Sequence, residues 1–224
     1  MNVKLVSITK SLIDERELTA EELLVYIARV SNPSNQLNME TADKLIGYMV
    51  RNKHWSPFEM VDVTFDIVTS RAIAQQILRH RSFSFQEFSQ RYSAVTEFED
   101  VQLREAGATN RQSSLEPCNP IIEVDLLGER HFTDAENLVK KAIDVSDSVY
   151  KALLAAGVAK ECARMILPLT TQTRVFMKGS LRSWIHYLQV RTDEHTQIEH
   201  REIAIAISEI IKDKFPNVSK ALEL

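Results

Sequence analysis

Glycine is scarce in this chain. Only five glycines occur in 224 residues, at positions Gly47, Gly107, Gly128, Gly157 and Gly179. Their spacing forms neither the G-x-G-x-x-G turn of a dinucleotide-binding fold nor the glycine-rich loop of a P-loop enzyme. The sequence therefore predicts that any bound nucleotide is held by side chains.

Cysteine is scarcer still. Cys118 and Cys162 are the two cysteines, and they are far apart and in no C-x-x-C arrangement. This gives poor support to a disulfide framework and to a zinc knuckle, and it favours a reducing compartment. We expect Cys162, in an apolar helical segment, to be packed against its neighbours rather than to act as a nucleophile.

Long apolar runs and a strong excess of positive charge are also missing. No segment approaches the roughly 18 apolar residues of a membrane span, and Asp14, Glu15 and Glu17 interrupt any secretory signal pattern. We therefore predict a cytoplasmic location without a membrane segment. The net charge of −4 argues against a protein coated by nucleic acid and favours a small anionic ligand at a local basic site.

The hydrophobic pattern predicts an α+β fold, a small central sheet flanked by several helices, in a single domain over residues 1–224. Val61, Val63, Phe65 and Ile67 alternate with polar residues, which predicts a strand with one wet face. Residues between Glu97 and Phe132 are irregular and predict a loop with one short strand or helix. The predicted strands are Val3 to Thr9, Val61 to Val68 and Leu169 to Met177, and the predicted helices are Thr19 to about Val30, about Thr41 to Asn52, Ser70 to about Arg81, Thr133 to Gly157, Ala159 to Leu167, Ser180 to about Val190 and about Asp193 to Lys214.

The densest group of chemically active side chains runs from Arg79 to Tyr92 with the sequence RHRSFSFQEFSQRY. Its arginines supply forked donors for phosphate, its serines and glutamine supply neutral hydrogen bonds, and Glu87 can accept from a ribose or base. An isolated Arg-His-Arg is more often a solvated helix end, because basic residues favour helix C-termini. The longer pattern indicates a nucleoside monophosphate site.

Arg-His-Arg, then seven residues, then serine, from Arg79 to Ser89, resembles the signature of the flavin-dependent thymidylate synthases. The resemblance continues in further blocks in the family's order: ARVSNPS at Ala28 to Ser34, HWSPFE at His54 to Glu59, NRQSS at Asn110 to Ser114, ARMILP at Ala163 to Pro168 and LRSWIHYLQVR at Leu181 to Arg191. Ser180 stands where many members of the family have asparagine, and His186 stands at a position that varies between asparagine and histidine.

The resemblance implies three groups of site residues. The group expected around dUMP is Gln76, Ile77, Leu78, Arg79, Glu87, Phe88, Ser89, Gln90, Arg91, Arg164 and Arg191. The group expected around FAD is Ser56, Arg79, His80, Arg81, Glu87, Ser180, Leu181, Arg182 and His186. His54 and Glu59 are expected to line the region of the flavin and its second substrate, and no metal is expected.

The resemblance also implies an activity: reductive methylation of dUMP to dTMP, with 5,10-methylenetetrahydrofolate as carbon donor, FAD as hydride carrier, NADPH as reductant and tetrahydrofolate as product. It implies a homotetramer whose active sites are shared between chains. We predict that Arg191 is catalytic, because a fixed guanidinium stabilises the charge that develops on the uracil ring. Ser89 has no base beside it in the sequence and is expected to bind or orient dUMP.

Three alternatives stay open on the sequence. A nucleic-acid-binding module would use Arg79, Arg81 and Arg91 for phosphates and Phe83, Phe85 and Tyr92 for stacking, and a colourless protein with salt-dependent oligonucleotide binding would favour it. The pair His195 and Glu199, with His200 beside it, suggests a metal less strongly than a salt-bridged helix surface. Trp55 and Trp184 are equally consistent with core packing and with contact to a flavin.

Overall fold

The structure, a computed structural model, describes residues 1–13, 16–94, 97–108, 114–126 and 128–223. Their contacts divide the chain into two compact units. The first consists of Met1–Val68, Gln76–Gln86 and Val175–Leu224, and the second of Thr69–Gln75 and Glu87–Arg174. The single domain over residues 1–224 stays a prediction.

The described residues form a mixture of helices and strands, so the predicted α+β class is confirmed. The strands are β1 (Asn2–Ile8), β2 (Asp62–Ser70), β3 (Ser84–Glu87), β4 (Arg104–Ala106), β5 (Ser114–Pro117), β6 (Ile121–Leu126), β7 (Glu129–Asp134) and β8 (Gln172–Ser180). The α-helices are α1 (Ala20–Ala28), α2 (Ala42–Arg51), α3 (Arg71–Ile77), α4 (Ala135–Ala155), α5 (Lys160–Ala163), α6 (Leu181–Arg191), α7 (Ile198–Lys214) and α8 (Pro216–Leu222). Short 3₁₀ turns occupy Pro33–Asn35, Ser56–Met60 and Arg164–Ile166.

A four-stranded sheet in the order β1-β2-β8-β3 is the centre of the first unit. Strand β1 is antiparallel to β2, with Asn2 opposite Val68 and Ile8 opposite Val63. The predicted alternation on β2 holds for Val63, Phe65 and Ile67, which are buried. The wet face is interrupted at Asp66, which is only 7% exposed, so the prediction of a fully solvated face is wrong at that residue.

The start of α1 follows a local hydrogen-bonding signal. Thr19 and Glu22 form the predicted capping box of α1, which satisfies backbone N–H groups that have no helical partner. Arg29, in the ARVSNPS block, is buried and donates to the Asn35 carbonyl at 3.1 Å and to the Thr41 hydroxyl at 2.8 Å. This block therefore ties the turn after α1 to the start of α2.

Helices pack around the sheet in a defined order. Helix α2 packs on α8, α6 packs on α7, and α7 contacts β1. The interior contains Trp184 and Tyr187 of α6 together with Ile203 and Ile207 of α7, all 0% exposed. Trp184 donates its indole N–H to the Val63 carbonyl at 3.1 Å. Of the two interpretations of Trp184, core packing is therefore the correct one.

The second unit contains two antiparallel hairpins, β4 with β5 and β6 with β7, and the long helix α4. The prediction of a loop with a single short element between Glu97 and Phe132 is wrong, because four strands lie there or begin there. Asp134, not Thr133, caps α4 by accepting from the Asn137 N–H at 3.0 Å. Strand pairing explains the shift, since Thr133 pairs with Ile122 inside the β6–β7 hairpin.

Other helix boundaries also differ from the prediction. Helix α3 ends at Ile77, so Arg79, His80 and Arg81 follow the helix rather than extend it. Helix α7 begins at Ile198, so His195 does not lie on it. Among the described residues no helix is long and apolar enough to cross a membrane.

Candidate active site

The start of α6 carries a compact polar cluster. Ser180 caps the helix as predicted, since its Oγ accepts from the Ser183 N–H at 3.3 Å. The same hydroxyl donates to Glu59 Oε2 at 2.5 Å, and Arg182 Nη1 donates to Glu59 Oε1 at 2.6 Å. These hydrogen bonds, from Ser180 first and then from Arg182, lower the pKa of Glu59. Glu59 is thus held as a carboxylate between a helix cap and a guanidinium.

A cavity of about 400 Å³ opens beside this cluster. It combines charged, hydroxyl and aromatic side chains, namely Trp55, Glu59, Ser82, Arg182, Ser183, Ile185, His186 and Gln189. Arg182 and His186 come from the predicted FAD group, and Glu59 comes from the predicted second-substrate region. Trp55 lines the cavity and also packs edge-on against Phe58, at 5.4 Å between ring centroids, so core packing and contact to a flavin both stay open for it.

His80 is joined to the predicted catalytic arginine. The Nε of Arg191 donates to Nε2 of His80 at 3.0 Å. A guanidinium is always protonated and cannot accept, so Nε2 of His80 must be bare. Burial, followed by the positive charge of Arg191 and by His186, lowers the pKa of His80 to about 4. The imidazole is therefore neutral at physiological pH, with its proton on Nδ1.

The segment between α3 and β3 is fixed by aromatic packing. Phe83 contacts Trp184 at 4.6 Å and Tyr187 at 6.0 Å between ring centroids. Gly179 makes this approach possible, since a Cβ at that position would lie 2.5 Å from the Phe83 ring. The glycine therefore determines where Phe83, and with it the chain that carries His80, can lie.

Gln76, another predicted dUMP contact, lies in a hydrogen-bonded row with residues that the prediction did not include. Its Nε2 donates to Gln197 Oε1 at 2.6 Å, and its Oε1 lies 3.3 Å from Nδ1 of His200. The other ring nitrogen of His200 lies 3.1 Å from the Tyr187 hydroxyl. In the sequence analysis His200 was named only beside a candidate metal pair. Its spacing from Ile203, Ala204 and Ile207 was the available signal, because it places His200 on the apolar face of α7.

The second unit holds the continuation of the Arg79–Tyr92 motif. Glu87 Oε1 accepts from the Thr173 hydroxyl at 3.0 Å and lies 3.4 Å from Arg71 Nη1. The Phe88 N–H donates to the Arg174 carbonyl at 2.8 Å. Glu87 is thereby oriented by a cation and a hydroxyl within its own unit.

Ser89 organises a turn rather than a nucleophilic pair. Its Oγ accepts from the Arg91 N–H at 3.4 Å, and its carbonyl accepts from the N–H groups of Tyr92 and Ser93. Gln90 is 3% exposed, and its buried Nε2 has no hydrogen-bond partner within the described ranges. An unpaired buried N–H group is costly, so Nε2 of Gln90 is a candidate donor to an acceptor atom of a ligand.

The remaining residues predicted to bind dUMP or FAD differ in how exposed their side chains are. Arg91 is exposed and lies 3.3 Å from Glu161, and Arg164 begins the 3₁₀ turn that precedes Pro168. Ile77 and Leu181 have fully buried side chains, so their predicted ligand contacts fall to backbone atoms. The side chains not yet placed, Ser56, Arg79, Arg81 and His54, are exposed, and Leu78 is half-buried. Positions 110–113 of the NRQSS block lie outside the described residues.

Comparison with known proteins identifies the family to which the chain belongs. The model of the family described as thymidylate synthase complementing protein matches residues 11–217. The chain belongs to this family. It is 51% identical to a flavin-dependent thymidylate synthase of Synechocystis sp., over 100% of both chains. It is 47% identical to a probable flavin-dependent thymidylate synthase of Paramecium bursaria Chlorella virus 1, over 100% of this chain and 99% of the relative.

A solved structure shows the same fold. The UMP/dUMP methylase PolB from Streptomyces cacaoi, bound with 5-Br dUMP, superposes with a TM-score of 0.77 at 24% identity, over 99% of this chain and 94% of that one. The family predicted from the Arg79–Ser89 motif is confirmed by the family model and by the two sequence relatives. The individual site residues were not tested by these comparisons and stay predictions.

Two predictions, on Cys162 and on the pair of His195 and Glu199, need correction. Cys162, expected to be packed, is exposed, because α5 is only four residues long and presents it to solvent. His195 and Glu199 do not lie on one helix, because α7 begins at Ile198, and Nδ1 of His195 lies 2.8 Å from Asp193 Oδ1. Within the described ranges no group of three or more His, Cys, Asp or Glu side chains is placed to hold a metal.

Proposed function

We propose that this chain converts dUMP to dTMP with 5,10-methylenetetrahydrofolate as carbon donor, FAD as hydride carrier and NADPH as reductant, releasing tetrahydrofolate. The curated relatives confirm the predicted class of enzyme, a flavin-dependent thymidylate synthase that transfers a methyl group. The observation that best supports the chemistry is the hydrogen bond from Arg191 to neutral His80. It fixes a permanent positive charge in a partly buried place next to the family motif.

The cavity at the start of α6 fits a flavin nucleotide by the chemistry of its donors. Arg182 supplies a cation, His186 a ring nitrogen, and Ser82 and Ser183 hydroxyl groups. The chain has no glycine-rich loop, so these side chains carry the binding. When bound and reduced by NADPH, the flavin would supply the hydride that converts the transferred methylene group to a methyl group. Glu59 keeps Arg182 oriented towards the cavity until a ligand engages it.

Arg191 is proposed to activate the uracil ring. For C5 to attack the methylene group, negative charge must spread over N3 and O4 of the ring, and a guanidinium stabilises that charge without giving up a proton. Because Nε donates to His80, the two Nη groups of Arg191 are the donors that we propose for the ligand. His80, being neutral, positions the guanidinium without adding a second charge beside it.

The remaining polar residues are proposed to bind dUMP. Arg91 and Arg164 are expected at the phosphate, where charge-assisted hydrogen bonds are strong. Gln90 offers a buried N–H donor that has no partner in the described residues. Ser89 is held by a backbone N–H that orients the hydroxyl rather than activating it, which supports a binding role.

Assembly and partners are proposed on the same family grounds. We expect a homotetramer with shared active sites, small-molecule substrates only and a cytoplasmic location. The nucleic-acid-binding alternative loses support at Phe83, because this ring packs against Trp184 and is not free to stack on a base.

The direct test is dTMP formation from dUMP, 5,10-methylenetetrahydrofolate and NADPH, measured with and without added FAD. We expect product only when flavin is present, and a purified protein that is yellow. A colourless protein that makes no dTMP with FAD and binds oligonucleotides in a salt-dependent manner would reject the proposal.

The roles of Arg191 and Ser89 are separated by single-turnover dTMP formation with prereduced FAD at saturating dUMP. Losing a fixed donor to a developing anion costs about 100- to 1,000-fold in rate, and lysine lacks the planar fork, so Arg191→Lys should stay far below the parent. Ser89→Ala should retain measurable turnover. An inactive Ser89→Ala variant that still binds dUMP, together with a nearly normal rate for Arg191→Lys, would reverse both assignments. It would favour a covalent serine mechanism.

A further inference from the structure

His200 is a buried imidazole that the proposed chemistry does not use. It lies on α7 among apolar residues and is 0% exposed. A polar ring in such a place is tolerated only if both nitrogens find partners. Both do: Nε2 lies 3.1 Å from the Tyr187 hydroxyl and Nδ1 lies 3.3 Å from Gln76 Oε1.

The hydrogen bonds continue from Gln76 towards the surface. Gln76 Nε2 donates to Gln197 Oε1 at 2.6 Å, and Gln197 Nε2 donates to Glu199 Oε2 at 2.9 Å. Tyr187, His200, Gln76, Gln197 and Glu199 therefore form one row, which we call the Tyr187–Glu199 row. It runs from the interior to a carboxylate and passes through one residue of the predicted dUMP group.

The row has a single consistent direction. A carboxylate accepts and does not donate, so Gln197 must turn its NH₂ group to Glu199 and its oxygen to Gln76. Gln76 must then give an N–H to Gln197, which turns its own oxygen to His200. His200 must donate from Nδ1, and Nε2 is left to accept from the Tyr187 hydroxyl.

The charge state of His200 agrees with this order. Burial, followed by the charge of Arg191 and by His80, lowers the pKa of His200 to about 3, so the ring carries one proton at neutral pH. That proton belongs on Nδ1. The opposite tautomer would set the bare Nδ1 against the Gln76 oxygen, and an outward flip of Gln76 would set two oxygens against each other at Gln197.

We propose that His200 is a positioning residue that fixes the orientation of the Gln76 carboxamide for dUMP binding. Among the residues that the structure describes, the Tyr187–Glu199 row leaves Gln76 with one N–H on Nε2 and one lone pair on Oε1 that it does not use, each in a defined place. A uracil edge presents carbonyl acceptors and an N3–H donor, so a fixed amide can match it and a flipped amide cannot. This inference rests on the proposed function, because Gln76 is expected to contact dUMP.

The first experiment measures dUMP affinity by calorimetry on the FAD-loaded protein, which needs no turnover. His200→Phe keeps a ring but removes both hydrogen bonds, and it should weaken dUMP binding about 2- to 13-fold, the value of one ordinary hydrogen bond. His200→Asn retains an N–H donor at the place of Nδ1 and should recover part of the loss. Equal affinities for parent and His200→Phe would overturn the inference.

A double-mutant cycle tests whether the effect passes through Gln76. In a Gln76→Ala background, His200→Phe should cause no further loss of dUMP affinity. The same loss in both backgrounds would show that His200 acts through general packing, and this would overturn the positioning role. Should His200→Phe fail to fold, Glu199→Gln perturbs the other, partly exposed end of the row and should also weaken dUMP binding in the parent but not in Gln76→Ala.

The second experiment reads the proton directly. In protein labelled with ¹⁵N-histidine, NMR at neutral pH should show neutral rings protonated on Nδ1 for His80 and His200, and the signal that disappears in His200→Asn identifies His200. If the signal that disappears in His200→Asn is instead that of a ring protonated on Nε2, the inference is overturned even if dTMP is formed. The Nδ1 form together with normal dUMP affinity and no dTMP would reject the proposed function and leave the positioning of Gln76 intact.

Discussion

Acidification should lower the free energy of unfolding of this protein at pH values well above those at which its carboxylates titrate. The cause is His200, which is buried without charge and whose pKa is lowered from 6.5 to about 3 by burial, by Arg191 and by His80. In the unfolded chain the same ring takes up a proton near pH 6.5. Between these two values the unfolded state binds more protons than the folded state, so stability falls as pH falls. Above about pH 6.5 the ring is neutral in both states, and no stability is lost through His200.

The size of the effect follows from the two pKa values. At pH 5 an unfolded histidine is almost fully protonated while folded His200 is neutral, and the difference amounts to about 2 kcal/mol relative to pH 8. His80, whose pKa is lowered to about 4, acts in the same direction. The exposed His195 acts in the opposite direction, because Asp193 raises its pKa. A loss of about 2 kcal/mol or more is large beside a typical total of about 5–15 kcal/mol.

The assay is urea unfolding followed by tryptophan fluorescence at pH 8 and pH 5, with one protein concentration and one FAD concentration throughout. His200→Asn is the matched control, because it removes the titrating ring and leaves His80 and His195 in place. The fall in unfolding free energy between the two pH values should be about 2 kcal/mol smaller in the variant than in the parent. An identical pH dependence for both proteins would refute the neutral, buried state of His200.

Three further changes test the site. Gly179→Ala should destabilise the protein by about 1–3 kcal/mol, since its Cβ would lie 2.5 Å from Phe83, and Phe83→Leu in the same chain should relieve part of this loss in thermal melts. Glu59→Gln should lower the flavin-to-protein ratio after purification, because Arg182 loses its anionic partner; a full flavin content would remove Glu59 from the site. Arg164→Ala should weaken dUMP binding about 10- to 150-fold in calorimetry, the loss of a charge-assisted hydrogen bond, and an unchanged affinity would remove Arg164 from the phosphate.

Local signals in the sequence predicted much of the fold. The alternation at Val63, Phe65 and Ile67 identified β2, and short-range caps identified the starts of α1 at Thr19 and α6 at Ser180. These features depend on neighbours within a few residues, which the sequence shows directly. The family motif likewise identified the segment around His80, because its residue types are contiguous.

Features that depend on distant partners were not predictable in this way. The strand β7 extends to Asp134 because it pairs with β6, and this moved the cap of α4 by one residue. The contact between Gln76 and His200 joins positions 124 residues apart, so no local pattern indicates it. Helix α7 begins five residues later than about Asp193, where the pattern placed its start, and this separated His195 from the helix that was to hold it.

The junction between β8 and α6 restricts how the length of this chain can change. Strand β8 ends at Ser180 and α6 begins at Leu181, whose N–H donates to the Val61 carbonyl at 2.7 Å, so no connecting loop absorbs an added residue. One inserted residue would turn the rest of the helix by about 100° relative to the sheet. This one insertion would break both the hydrogen bond between Arg182 and Glu59 and the hydrogen bond between Arg191 and His80. Insertions and deletions should therefore be tolerated in the surface connections of this protein but not at this junction.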